Sequence, residues 1–197
     1  MISSGIVFKK IVLEHGDASS AETAMRLRVP RDFDCSFTER IERELLSVTD
    51  CRGVAVRTSV SVRDGEVDLG FLTTQSSDLA KALSGCSEAY VFAVTLGMGV
   101  ERLLLKYSKT SKSDHFTADA LASAYAEAAA DKMEKELSYG ECFGKRFSPG
   151  YGDLSLSIQP KILSALNAEG LLGITLTDGL LMKPEKSITA IVGIRNE

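Results

Sequence analysis

The sequence predicts an α+β fold in a single domain spanning residues 1–197, with a twisted, largely antiparallel mixed sheet flanked by helices. The apolar run AYVFAVT, residues 89–95, is typical of a strand that is covered on both faces. The segment from Phe116 to Leu137 is rich in alanine and predicts one long helix. Strand-like and helix-like segments do not alternate strictly along the chain, which argues against a doubly wound parallel sheet.

Composition narrows the class of protein. The 197 residues are 44% hydrophobic and 25% charged, as in ordinary globular domains. The net charge is −4 and no run of basic residues supplies a phosphate-binding surface, so we expect no nucleic-acid partner. No apolar run approaches the about 18 residues of a membrane span, and the amino end lacks the pattern of a signal peptide. We therefore expect a cytoplasmic protein with no membrane contact.

Cysteine and histidine are too scattered to form a metal site or a disulfide framework. The four cysteines are Cys35, Cys51, Cys86 and Cys142, and the two histidines are His15 and His115. None of the cysteines forms a CxxC pair, which favours reduced thiols. The histidines lie too far apart in sequence to support a metal centre or a histidine-driven catalytic triad.

The first half of the chain predicts one strand and two helices before a hairpin. Residues 6–13 read as a strand because of their β-branched content, and residues 20–28 as a helix that stops at Pro30. Ser36 is expected to cap a helix over residues 37–48. The apolar side of that helix comprises Ile41, Leu45, Leu46 and Val48, and its solvated side Glu39, Arg40, Glu42, Arg43 and Glu44.

A β-hairpin follows this helix. Residues 53–62 alternate as a half-buried strand, and Arg63-Asp64-Gly65 predicts the turn into a second strand, residues 66–72. Ser76 or Ser77 then caps a short helix.

Two glycines follow the apolar run of residues 89–95 and precede another helix. A strand that runs through Gly97 and Gly99 into a helix is compatible with a nucleotide-binding loop. The dinucleotide fingerprint needs a third glycine where Arg102 stands, so a tight strand-to-helix turn is the favoured interpretation.

One acid of the long helix differs from the others. Asp131 and Glu134 have lysine neighbours and are expected at the surface. Glu127 lies among alanines, so it either holds a ligand's ammonium or hydroxyl groups or faces solvent.

The segment RFSPGYG, which begins at Arg146, combines groups that bind ligands. Pro149 fixes φ, Gly150 permits a positive φ, and Gly152 permits a close approach by a second surface. Arg146 offers a planar fork to a carboxylate or phosphate, and Tyr151 offers a flat ring and a hydroxyl. An ordered surface turn without a ligand is the alternative interpretation.

The carboxyl end predicts one helix and two strands. Residues 156–166 read as a helix with Pro160 in its first turn, and residues 167–170 as its stop. Two short strands follow, joined by a loop that contains Pro184.

The motif RFSPGY, the acid-bearing helix before it and the closing segment LMKPEKSITAIVGI together resemble the activation domain of cobalamin-dependent methionine synthase, in a stand-alone form. The resemblance covers about residues 116–194. It implies an S-adenosylmethionine site at an interface with a corrinoid-carrying partner, where the cobalt cofactor is reductively remethylated. The resemblance further implies an electron from a low-potential donor, such as a flavodoxin or ferredoxin.

The resemblance assigns roles to individual residues. Arg146 would clamp the methionyl carboxylate, Ser148 would act through its backbone, and Tyr151 would be the catalytic residue between methyl donor and corrin. Glu127 would offset the ligand's positive charge, and Glu141 is an approximate counterpart, one position out of register, of the family's second acid. The implied cofactor-binding residues are Glu127, Glu141, Arg146, Ser148, Gly150 and Tyr151.

Three functions remain open at this point. The first is a component that reactivates a corrinoid protein in trans, such as a methionine synthase without its own activation domain, because the Asp-x-His-x-x-Gly corrinoid motif is absent from the sequence. The second is a docking module of the same fold that does not use S-adenosylmethionine. The third is an unrelated nucleotide-binding enzyme that uses Gly97 and Gly99.

Overall fold

A five-stranded sheet organises the computed structural model, which describes residues 5–30 and 38–195. Its strand order is β1-β2-β6-β10-β7, and every strand pair in the described residues is antiparallel. The strands are β1 (Val7–Lys10), β2 (Arg52–Ser59), β3 (Ser61–Arg63), β4 (Glu66–Asp68), β5 (Thr73–Gln75), β6 (Cys86–Thr95), β7 (Cys142–Phe143), β8 (Thr175–Leu176), β9 (Met182–Lys183) and β10 (Ser187–Arg195).

Seven helices of the described residues flank the sheet, and the predicted α+β class is confirmed. They are α1 (Ser20–Leu27), α2 (Glu39–Val48), α3 (Ser77–Ala82), α4 (Met98–Thr110), α5 (Lys112–Ser138), α6 (Gln159–Ala165) and α7 (Ala168–Leu172). The long alanine-rich helix is α5. It begins one turn before the predicted start because the Ser111 hydroxyl accepts a hydrogen bond from the Asp114 amide at 3.2 Å.

Hydrophobic clusters cover both faces of β6, as the apolar run predicted. On one face Phe92 and Val94 pack in a cluster with α2, α4 and α5. On the other face Val91 and Ala93 pack in a cluster with α3, α6 and α7. Small side chains let α5 lie close to the sheet and to its neighbouring helices. The buried alanines of α5 are Ala118, Ala120, Ala122, Ala124, Ala126, Ala128, Ala129 and Ala130.

The predicted strand over residues 53–62 is broken at Val60. Its first part is β2, which pairs with β1 and β6, and its last part, β3, belongs to a separate sheet with β4 and β5. The Val60 amide donates to the Ser87 carbonyl at 2.8 Å. The hairpin turn itself is confirmed, since Asp64 and Gly65 have φ values of 49° and 80°.

Glu42 was predicted on the solvated side of α2, and this prediction is wrong. Glu42 is 7% exposed because α2 turns it towards α5, where the Tyr125 hydroxyl donates to its carboxylate. His15 Nδ1 lies 2.8 Å from Glu42 Oε2. Burial and the neighbouring Glu42 carboxylate raise the pKa of Tyr125. The predicted cap at Ser36 and the thiol of Cys35 lie outside the described residues.

The carboxyl end contains one more helix and one more strand than predicted. Asn167, with φ 48°, ends α6, but residues 168–172 then form α7. In place of the first predicted short strand there are two strands, β8 and β9, which form a hairpin. The second predicted strand is the long strand β10, which lies between β6 and β7.

Packing explains the two glycines between β6 and α4. Gly97, with φ 84°, precedes the first residue of α4. A Cβ atom on Gly99 would overlap the carbonyl oxygen of Val48, at the end of α2. The chain's own backbone therefore fills the space beside Gly99, which supports the tight-turn interpretation.

Cys51 and Cys86 are buried, and none of the described cysteines, Cys51, Cys86 and Cys142, forms a disulfide bond. Burial raises the pKa of Cys51 to about 12. Within residues 5–30 and 38–195, no group of acidic, histidine or cysteine side chains is arranged to hold a metal ion. No helix in that part of the chain is both long and apolar enough to span a membrane.

Candidate functional site

The loop that begins at Arg146 connects β7 to the 3-10 turn Leu156–Ile158 ahead of α6. The Tyr151 amide donates to the Ser148 carbonyl at 3.1 Å, and the Gly150 amide donates to the Leu154 carbonyl at 2.9 Å. Gly150 has φ 87°, so the predicted Ser-Pro-Gly turn with a positive φ is confirmed.

The loop is fixed to β10 and to α3. Phe147 and Ile191 exchange two backbone hydrogen bonds of 2.9 and 2.8 Å. Asp153 accepts hydrogen bonds from the Ser77 amide at 2.8 Å, from the Ser77 hydroxyl at 2.6 Å and from the Ser76 hydroxyl. These hydrogen bonds lower the pKa of Asp153. Sequence reasoning missed Asp153, because α3 lies more than 70 residues before it.

The close approach predicted at Gly152 is made by α3. Gly152 has φ 54°, and a Cβ atom there would overlap a carboxylate oxygen of Asp78. A side chain at this position would therefore require Asp78 to move.

Arg146 binds three carboxylates of α5. Its Nη1 lies 2.9 Å from Asp131 Oδ1 and 2.7 Å from Glu134 Oε1, and its Nη2 lies 2.9 Å from Glu127 Oε2. Asp131 is exposed as predicted, whereas the Glu134 side chain is only 22% exposed. Burial raises the pKa of Glu134, and the positive charge of Arg146 opposes this shift. Burial lowers the pKa of Arg146, but its hydrogen bonds to Asp131 and Glu134 outweigh this and raise it.

The charges around Arg146 are predominantly negative. Glu127 also lies 3.9 Å from Arg26 of α1, which in turn binds Glu22 at 2.8 Å. Four carboxylates therefore surround two guanidinium groups, which leaves an excess of two negative charges. Such a cluster favours a cationic ligand or partner group.

A cavity of about 200 Å³, here named the Tyr151 cavity, lies beside this cluster. It brings together Glu127 from α5 and Ser148 and Tyr151 from the loop, three of the residues that the sequence singled out. The other lining residues are Pro149, Leu156, Gln159, Leu180, Leu181, Met182, Ser187, Ile188 and Thr189. Tyr151 is 71% exposed, so it stands where a ligand and a partner surface can both reach it.

The structure does not bring Glu141 to the Tyr151 cavity. Glu141 Oε1 lies 2.9 Å from Arg57 Nη1, on β2, and Arg57 also binds Glu88 of β6. Arg146 is not a lining residue either, but it forms an ion pair with Glu127, which lines the cavity.

Sequence reasoning also missed the polar floor of the Tyr151 cavity. Gln159, Ser187 and Thr189 are 2%, 8% and 3% exposed. Gln159 directly precedes Pro160 in the predicted helix, and the available signal was an amide side chain next to the apolar residues Ile158 and Pro160.

No protein-family model matches the sequence, and no curated protein matches it. Among solved structures, the MetH reactivation domain bound to AdoHcy superposes with a TM-score of 0.75. The match covers 96% of this chain and 78% of that chain, at 15% sequence identity. The protein shares the fold of the MetH reactivation domain. The fold expected from the RFSPGY resemblance is therefore confirmed over nearly the whole chain, including the first half, where no motif had supported it.

Proposed function

We propose that the protein binds S-adenosylmethionine and supports reductive remethylation of a corrinoid cofactor, in trans, on a methionine synthase or a related corrinoid methyltransferase. The proposal rests on the agreement between the fold of the chain and the position of its sequence motif. The chain shares its fold with a domain whose solved structure contains AdoHcy, the demethylated form of S-adenosylmethionine. In this chain the RFSPGY loop and Glu127 line one cavity.

The charges near the cavity fit this ligand. S-Adenosylmethionine carries a sulfonium and an ammonium group against one carboxylate, so its net charge is positive. Glu127 lines the cavity, and the excess negative charge around Arg146 attracts a cation. A neutral thioether such as AdoHcy gains less from this field and should bind less tightly.

Arg146 would bind the ligand's carboxylate in place of one of the three carboxylates that it binds in the structure. Asp131 is the most exposed of the three acids, with a side chain that is 71% exposed. Breaking its ion pair with Arg146 therefore costs the least free energy, because water already solvates its carboxylate. Glu134 would keep Arg146 in place. This exchange leaves Glu127 available for the ligand's positive groups.

The task of the chain's residues is to bind and orient rather than to perform acid–base chemistry. The bound ligand supplies the methyl group, and the corrinoid comes with a partner protein. Tyr151, exposed at the cavity mouth, would lie between them and align the methyl donor with the cofactor. The electron would come from a flavodoxin or ferredoxin.

Calorimetric titration with S-adenosylmethionine tests the proposal. The titration is performed on the wild type, on Arg146→Ala and on the neighbouring control Lys145→Ala, with and without a corrinoid protein. We expect Arg146→Ala to weaken binding by about 2 kcal/mol, through loss of a charged hydrogen-bond partner, and Lys145→Ala to bind as the wild type does. Absence of binding in the wild type, even with the corrinoid protein present, would refute the proposal.

A docking module that does not use S-adenosylmethionine is the second candidate. Two observations favour it: three carboxylates already occupy Arg146, and the Tyr151 cavity, at about 200 Å³, is below the usual range of about 300–1,000 Å³ for ligand sites. In this case Arg146→Ala would bind the corrinoid protein as tightly as the wild type does, and S-adenosylmethionine would not change that affinity.

A further inference from the structure

Helix α1 carries an ion pair beside Glu127. Arg26 Nε and Nη2 lie 3.1 and 2.8 Å from one carboxylate oxygen of Glu22, Oε1. The two residues are four positions apart, so the pair spans one turn of α1. Both side chains are partly buried, and α1 packs against α5. The first half of the chain therefore places a charge pair next to an acid that lines the Tyr151 cavity.

The two carboxylate oxygens of Glu127 differ in their partners. Oε2 accepts a hydrogen bond from Arg146 Nη2 at 2.9 Å. Oε1 lies 3.9 Å from Arg26 Nη2, which is beyond hydrogen-bond distance. Among the residues that the structure describes, no group hydrogen-bonds to Oε1. Glu127 therefore keeps one oxygen for a ligand in the Tyr151 cavity.

The position of Arg26 depends on Glu22. The same nitrogen of Arg26, Nη2, approaches both acids, at 2.8 Å from Glu22 and 3.9 Å from Glu127. Guanidinium groups form their strongest contacts with carboxylates at about 2.8 Å, so only the closer contact is a full ion pair. Without the charge of Glu22, nothing on α1 would oppose the attraction of Arg26 to Glu127. Arg26 would then close the gap, and two guanidinium groups would neutralise Glu127.

We propose that Glu22 is a positioning residue that holds Arg26 away from Glu127 and thereby sets the preference of the Tyr151 cavity for a positively charged ligand. The charge it selects is the sulfonium of S-adenosylmethionine, so the inference rests on the proposed function. AdoHcy has the same adenosyl and amino-acid parts but a neutral thioether in place of the sulfonium. The ratio of the two affinities therefore measures how strongly the cavity selects that charge.

Calorimetric titrations with S-adenosylmethionine and with AdoHcy test the inference, with and without a corrinoid protein. The variants are Glu22→Gln, Arg26→Gln, the double variant and the control Glu169→Gln. Glu169 is exposed on α7, which packs on the opposite face of the sheet from α5, so its substitution changes the net charge as Glu22→Gln does but far from α1. An ion pair between residues four apart on a helix surface adds little to stability, so every variant should fold.

We expect the wild type and Glu169→Gln to prefer S-adenosylmethionine over AdoHcy to the same extent. Glu22→Gln should lower this preference about threefold, because the released Arg26 pairs with Glu127 and cancels its charge. Arg26→Gln should not lower the preference, since α1 then offers no cation to Glu127. The double variant should recover the wild-type preference, because the loss of Glu22 has no effect once Arg26 is absent.

This recovery distinguishes positioning from a structural role. If the ion pair only stabilised α1, Glu22→Gln would weaken the binding of both ligands equally, and the double variant would bind no better than the single variant. A preference that Glu22→Gln leaves unchanged, or a double variant that does not recover, would overturn the inference.

The same titrations separate this inference from the proposed function. S-Adenosylmethionine binding with a preference that is insensitive to Glu22 would remove only this inference. A preference that responds to Glu22, in a protein that does not support methyl transfer to a corrinoid, would remove only the proposed remethylation. A wild type that binds neither ligand, even with the corrinoid protein present, would overturn both.

Discussion

Arg146 and Glu127, which the sequence motif assigns to opposite charges of one ligand, bind each other at 2.9 Å between Nη2 and Oε2. The ion pair joins the RFSPGY loop to α5 at the edge of the Tyr151 cavity. In the proposed complex the ligand's carboxylate would take the place of Asp131, the most exposed of the three acids, on Arg146. Glu127 would stay beside Arg146 and face the ligand's positive groups.

Arg146→Ala should destabilise the folded protein as well as weaken ligand binding. The substitution leaves Glu134 partly buried without its cation, and we expect the free energy of unfolding to fall by about 1–3 kcal/mol. Urea unfolding of Arg146→Ala and of the control Lys145→Ala measures this difference. Equal stability of the two variants would show that the three ion pairs contribute nothing to the fold.

Tyr151→Ala should separate function from stability. Tyr151 is 71% exposed, so its truncation should change the free energy of unfolding by no more than about 0.5 kcal/mol. Methyl transfer to the partner corrinoid should nevertheless fall, because the ring at the cavity mouth is lost. Phe116→Ala is the control, since Phe116 is also an exposed aromatic residue but does not line the cavity. Full activity of Tyr151→Ala would contradict the role given to Tyr151.

Gly152→Ala should destabilise the folded protein. The substitution combines backbone strain at φ 54° with the overlap at Asp78, and we expect a loss of about 1–2 kcal/mol in the free energy of unfolding. Gly173→Ala is the control for backbone strain, because Gly173 has φ 70° and no atom within 4 Å of an added Cβ. Thermal unfolding of both variants gives the comparison. The prediction fails if Gly173→Ala is destabilised as much as Gly152→Ala.

Asp153 should make the stability of the loop depend on pH. Hydrogen bonds from Ser76 and Ser77 lower its pKa from the ordinary value of 3.8. A carboxyl group whose pKa is lower in the folded state stabilises that state fully above its unfolded pKa, and this contribution is lost as the pH falls below it.

The wild type should therefore melt above Asp153→Asn at neutral pH, and the difference in Tm should shrink below about pH 4. Thermal melts of the two proteins between neutral pH and about pH 2 measure it. Asp178→Asn, at an exposed aspartate, is expected to track the wild type throughout. A constant difference in Tm between the wild type and Asp153→Asn would show that the charge of Asp153 is not what stabilises the loop.

Local features were predictable where the residues of a short segment determine the structure of that segment. The apolar run of β6 requires cover on both faces, and the alanines of α5 favour helix and permit close packing. Gly150 and Gly152 supplied the positive φ and the close approach that the RFSPGY loop needs. Strand ends were less predictable, because the break at Val60 depends on which sheet each half of the segment joins.

Tertiary structure alone decided the partners of the polar side chains. The sequence determined the fold class, the long helix and the turn at Pro149, because these follow from backbone preferences and hydrophobic periodicity over a few residues. It could not predict that Glu42 is buried on Tyr125, 83 positions away, or that Gln159 pairs with Thr189, 30 positions away. A hydrogen bond acts over about 3 Å and requires a particular direction, so its partner is fixed only when the packed core brings distant segments together.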